Sequence, residues 1–222
     1  MLCRAALQLM SAGGVLLLGN CGAGIRSASR VIWFDDAGAQ KWVTFPGAGF
    51  SDAAAGDSGG NVLVTAASDY VQGGRTPGDL VGRWIAPDGV LAGDWLMIVP
   101  GNTAPSVLQT VIGGGVAVMQ NGKWVAVVPP LCAPKSPPDW LVSRPDRDFH
   151  VVRGGKAYAF TSRIVPQAGS GGPSVEVVAP TGRSCGRFDT KGTATIVGAD
   201  GSVIANSDGC TRRVWPGLLG TR

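Results

Sequence analysis

Apolar residues fall along this chain in short runs separated by turn dipeptides, and the runs are too brief for helices. The pattern predicts strands at Val31–Phe34, Lys41–Phe45, Asn61–Thr65, Gly82–Ala86, Trp95–Val99 and Gly115–Met119. It predicts further strands at Lys123–Val128, Phe149–Val152, Ala157–Thr161, Ser174–Val178, Ala194–Val197 and Ser202–Ala205. Between them stand Asp88-Gly89, Asn121-Gly122, Gly154-Gly155 and Asp200-Gly201. Such dipeptides supply the positive-φ positions of tight β-hairpins. Dense strand–turn–strand repetition of this kind implies an all-β, antiparallel architecture.

One phrase recurs. Arg83-Trp84-Ile85-Ala86-Pro87-Asp88-Gly89-Val90 is echoed by Val175-Glu176-Val177-Val178-Ala179-Pro180-Thr181-Gly182-Arg183, and more loosely from Val31 to Gly38 and from Thr195 to Ser202. Glycines 38, 89 and 182 lie 51 and 93 residues apart, and 93 is nearly two steps of 46. A period of about 40 to 50 residues with four strands per unit is the spacing of propeller blades. Over residues 31–218 the chain thus resembles a bacterial secreted β-propeller. The resemblance implies four or five radial four-stranded blades, ligand sites near a central channel, and a homo-oligomeric contact should the ring leave an open sheet edge. A two-sheet β-sandwich is the alternative.

Residues 1–21 read as a targeting segment, with Arg4 as a positive start and Ala5–Leu18 as an uncharged, largely apolar stretch. Leu18-Gly19-Asn20-Cys21 resembles a bacterial lipobox, which implies lipidation of Cys21 and a membrane anchor; Asn20 stands where that pattern has Gly, Ala or Ser. Cleavage near Ala23 to give a secreted or periplasmic protein is the alternative. Either way the expectation is an exported protein, with residues 22–30 as a tether and 31–222 as one β-repeat domain. Two stretches, 129–139 with five prolines and 166–173, read as excursions between hairpins.

Composition supports strands over helices. The chain holds 35 glycines and 26 valines but a single glutamate, Glu176, among 222 residues, whereas surface helices are built largely from Glu and Lys. The net charge of +4 is scattered, with Arg212-Arg213 the one adjacent basic pair, so nothing tracks a phosphate backbone and no nucleic-acid partner is expected. Export would place the cysteines in an oxidising compartment. With Cys3 and Cys21 consumed by processing, Cys132, Cys185 and Cys210 remain. A Cys185–Cys210 bridge with Cys132 free is favoured, and Cys132–Cys185 is the other option.

The chemistry on offer is thin. Gly56-Asp57-Ser58-Gly59-Gly60 matches the nucleophile segment of trypsin-like proteases, but the sole histidine, His150, lies 92 residues downstream of Ser58. The segment therefore reads as a glycine-rich turn. In Asp146-Arg147-Asp148-Phe149-His150, an extended backbone places Asp146, Asp148 and His150 on one face, a candidate acid/base or cation-binding cluster. Turn residues Asp35, Asp36, Asp88, Asn102, Asp200, Asn206 and Asp208 offer oxygens of the kind calcium takes, and no other cofactor has a motif here. Of seven tryptophans, Trp33, Trp84 and Trp124 fit inside packed strands, while Trp140 and Trp215 fall in irregular chain and are candidates for contacting a carbohydrate ring or a protein. The expected function is an exported, non-catalytic binding or interaction module. The alternative is a hydrolase of esters, lactones or phosphoesters, with a channel-bound divalent cation beside Asp146, Asp148 and His150.

Overall fold

The computed structural model describes residues 3–10, 12–21, 28–71, 78–102, 104–111, 115–142, 149–152, 160–165, 174–178, 184–189, 194–197, 203–208 and 211–215. The fold is all-β. Among the described residues eighteen strands form five open antiparallel sheets, each a meander of strands consecutive in sequence. The chain divides into two compact units, one of residues 1–110 and 114–137, the other of residues 138–222 with 111–113. The division falls at the end of the proline-rich stretch.

The first unit holds three sheets. Sheet I is β1 (Cys3–Leu9), β2 (Val15–Cys21), β3 (Ala28–Phe34) and β4 (Gln40–Thr44). Sheet II is β5 (Ala53–Gly56), β6 (Val62–Ala67), β7 (Leu80–Ile85) and β8 (Leu91–Val99). Sheet III is β9 (Val107–Thr110), β10 (Val116–Gln120) and β11 (Lys123–Val128). The second unit holds β12 (Phe149–Val152), β13 (Phe160–Val165), β14 (Ser174–Val178) and β15 (Ser184–Asp189) in one sheet. Its other sheet is β16 (Ala194–Val197), β17 (Val203–Asp208) and β18 (Thr211–Trp215). A single helical turn, α1 (Asp139–Val142), follows the prolines.

One turn is used four times. At Met10–Gly14, Asp35–Ala39, Asp57–Asn61 and Ala86–Val90, the first amide bonds the fifth carbonyl and the fourth amide bonds the first carbonyl. The fourth position is always a glycine in the left-handed region: Gly13, Gly38, Gly60 and Gly89, with φ between +80° and +96°. These hydrogen bonds with a left-handed glycine before the closing residue are those of a common three-residue hairpin loop. It joins β1 to β2 as it joins β5 to β6, and β3 to β4 as it joins β7 to β8. At Gly89 a second constraint acts: a Cβ would lie 2.7 Å from Trp42 Cγ.

Residues 1–21, expected to be a targeting segment, thus contain two strands of sheet I. The apolar alternation of Val15–Cys21 is that of a strand with one buried face: Leu16 and Leu18 are 1% and 3% exposed, and Met10 in the preceding turn is fully buried. They pack with Val31, Trp33, Trp42, Val62, Val64 and Ile85 in a core between sheets I and II. β6 is buried along its whole length, because its other face joins a second core. There Leu63, Leu80 and Trp84 meet Leu108, Val116, Val118 and Val128 of sheet III. Trp33 and Trp84 fill these inter-sheet spaces, as their strand positions suggested, with 4% and 1% exposure. Trp33 meets Trp42 edge to face at 5.8 Å.

Cys21 ends β2 opposite Cys3 and is disulfide-bonded. Cys132 is exposed and free. Cys185 lies on β15, and Cys210 is outside the described residues. Among the described residues no helix is long and apolar enough to cross a membrane.

Candidate functional site

The site in the first unit is built on a loop that backbone and side-chain hydrogen bonds strap down. Residues 45–52 connect β4 to β5. The Ser29 amide donates to the Ala48 carbonyl at 3.2 Å, and the Gly49 amide to the Tyr70 carbonyl at 2.7 Å. Asn20 at the end of β2 then clamps Ser51 from both sides: its Nδ2 donates to the Ser51 carbonyl at 2.9 Å, and its Oδ1 accepts the Ser51 amide at 3.1 Å. Ser29 Oγ donates to the same Asn20 oxygen. Finally the Asp52 amide donates to the Thr65 carbonyl of β6 at 2.8 Å. A loop held by β2, β3, β6 and the turn Ser68–Tyr70 presents its side chains in fixed positions.

Asp52 is the side chain so presented. It lines a pocket of about 250 Å³ with Phe50 from the same loop. Ala5 and Ala6 of β1, Leu18 and Asn20 of β2, and Pro105 before β9 complete the wall. Apart from Asn20 and Asp52 these are carbon surfaces. The Asp52 Oδ2 is buried and has no hydrogen-bond partner, and neither does the neighbouring Ser51 Oγ. Burial pushes the Asp52 carboxyl up from the ordinary 3.8 to about 6, because removal from water disfavours the charged form. An unpaired, partly buried carboxylate in a small apolar pocket is unstable alone and well placed to meet a ligand.

The structure distributes the residues singled out from sequence differently. Asp146 and Asp148 lie outside the described residues, and His150 is described only as a backbone position on β12, paired with Ser162. Trp140 sits in α1, and Trp215 is half-buried at the end of β18, paired with Val203. The protease-like string is the β5–β6 turn. Asp57, 1% exposed, accepts the Gly59 and Asn61 amides on Oδ1 and Asn61 Nδ2 on Oδ2, while Ser58 is exposed. Asp35, Asp88 and Asn102 likewise accept amides of their own turns, and Asp36 accepts the Gly14 amide at 2.6 Å. Among the described residues no three His, Cys, Asp or Glu side chains are grouped to hold a metal.

Asp52 was not singled out from sequence. Ser51-Asp52 precedes three alanines and looks like any polar loop tip. No family model and no curated protein matches the chain. Among solved structures, the chain is similar to one described as the crystal structure of the eukaryotic initiation factor, at 13% identity and a TM-score of 0.35 over 97% of this chain. It spans 52% of that structure's length, about half.

Proposed function

We propose that the chain is a non-catalytic binding module on a blade-type β-repeat, a small or partial propeller, and that the pocket at Asp52 is where it takes its ligand. The observation that carries this is the unpaired Asp52 oxygen on a strapped-down loop inside a mostly apolar cavity. The repeat reading is supported by the four equivalent turns, by the meander order of every sheet, and by the contact of β5 with both β1 and β9, the first strands of sheets I and III. In a blade architecture the first strands line the channel, where ligands sit. The disulfide at Cys21 supports an oxidising compartment, and with it an exported protein.

Titrating small charged and neutral compounds into the full chain, with amide chemical shifts as the readout, is expected to give saturable changes clustered at Asn20, Phe50 and Asp52. The alternative is hydrolysis through Asp146, Asp148 and His150 with a divalent cation. Chelator-sensitive turnover of chromogenic esters or phosphotriesters, with shifts centred on β12 instead, would replace the first reading with the second.

A further inference from the structure

We infer that the pocket selects an alkylammonium group, the head of a small amine or of a lysine side chain, which donates to the Asp52 carboxylate while its carbon stem lies on Ala6, Leu18 and Phe50. This rests on the binding reading above and names the class of ligand.

Three observations converge on a monovalent organic cation. First, Asp52 lines the pocket and its carboxylate has no protein donor on its buried oxygen, so a positively charged N–H donor gains the most from it. Second, the rest of the wall supplies carbon and one aromatic ring. A divalent metal needs several oxygen ligands, whereas an ammonium on an alkyl stem wants one anion and apolar flanks, and gains further from an aromatic face. Third, the cavity, about 250 Å³, is smaller than the roughly 300–1,000 Å³ of sites that enclose drug-sized ligands. It suits a head group and a short stem.

No protein cation already fills this role. Among the described residues, the charged or titratable groups on the elements bonded to the loop are Arg30 of β3, Asp69 and Tyr70 of the turn after β6, and Arg83 of β7, which donates to the Pro46 carbonyl at 3.2 Å; none bonds Asp52 Oδ2. Burial is the sole cause of the raised Asp52 carboxyl, which reaches about 6. Because the charged form binds the ammonium, affinity should fall about tenfold between pH 7 and pH 5.

The test is NMR titration of the full chain at pH 7 with n-butylamine and with Nα-acetyl-lysine methylamide. 1-Butanol, Nα-acetyl-norleucine methylamide and butyrate serve as neutral and anionic comparators. Saturable shifts at Asn20, Phe50 and Asp52 with the two amines alone, lost in Asp52→Asn and weakened about two- to fivefold in Phe50→Leu, support the inference. Stronger binding by the lysine probe points to a protein side chain as the source, stronger binding by butylamine to a free amine. Asp52→Asn removes a buried unpaired charge, so it stays folded and isolates recognition from stability. Equal binding of butanol and butylamine would overturn the cation and leave the pocket standing as a site. Amine binding that survives in Asp52→Asn would overturn the assignment to this carboxylate. No pocket shift with any probe would overturn both the cation and the proposed site.

Discussion

Two aspartates flank the same four-residue strand, β5, and their surroundings are opposite. Asp57, after the strand, is 1% exposed and spends both oxygens on its own turn: two amides on Oδ1 and the Asn61 side chain on Oδ2. Asp52, before the strand, faces a pocket with a buried oxygen that nothing satisfies, and its carboxyl is raised to about 6. Burial alone therefore does not mark a carboxylate as functional. What separates the two is whether the fold spends the oxygens on itself. Asp57 is a structural closure that makes the hairpin; Asp52 is held in place by its backbone while its side chain is left for something else.

The largest test of that contrast is removal of residues 1–21. Deletion takes away Asn20, which clamps the Asp52 loop, together with Leu16 and Leu18 of the inter-sheet core. It is expected to abolish cooperative unfolding of the first unit, followed by urea denaturation. A chain that folds without β1 and β2 would break the account of both the core and the pocket. Next in size, Asp57→Ala leaves the Gly59 and Asn61 amides without their acceptor and should cost on the order of 1–3 kcal/mol by the same measurement.

Asp52→Asn should act in the other direction. The folded carboxyl titrates near 6 against an ordinary 3.8, so folding favours its protonated form. The side chain's contribution is fully present below pH 3.8 and lost as pH rises through about 6. At pH 8 the asparagine variant should therefore be more stable than the parent by about 1–2 kcal/mol, allowing for partial access of water, and the gain should vanish by pH 3.5. Smallest of all, Ser58→Ala, at an exposed turn position beside Asp57, should change stability by less than about 0.5 kcal/mol.

Much of the strand layout was legible because hairpin chemistry is local. Asp88-Gly89 and Asn121-Gly122 announced their turns, and Gly89, Asn121 and Gly122 do adopt positive φ. Lys123–Val128, Phe149–Val152, Ser174–Val178 and Ala194–Val197 form strands with the bounds their patterns predicted. β5, by contrast, is Ala-Ala-Ala-Gly, with no intrinsic strand preference. It is a strand because β6 pairs with it and because sheets I and III cover it. β1 and β2 fall in the segment read as a leader, and a strand with one buried face, flanked by few charges, has the same composition as an export signal. Gly13-Gly14 before Val15-Leu16 closes with the same hydrogen bonds that Gly59-Gly60 makes before β6. The pocket was not legible at all. Its lining comes from four separate stretches of chain between Ala5 and Pro105, and the defining property of Asp52 is the absence of a partner, which no local pattern encodes.

The central proposal is that Asp52 is a partly buried, unpaired carboxylate awaiting a cation. It is tested most directly by following the Asp52 side-chain carboxyl carbon by NMR across pH 3–9, with and without n-butylamine. The account expects a midpoint near 6 in the free protein, moving down by at least about one unit when the amine is present. A midpoint at the ordinary 3.8, or one near 6 that butylamine leaves unmoved, would contradict it.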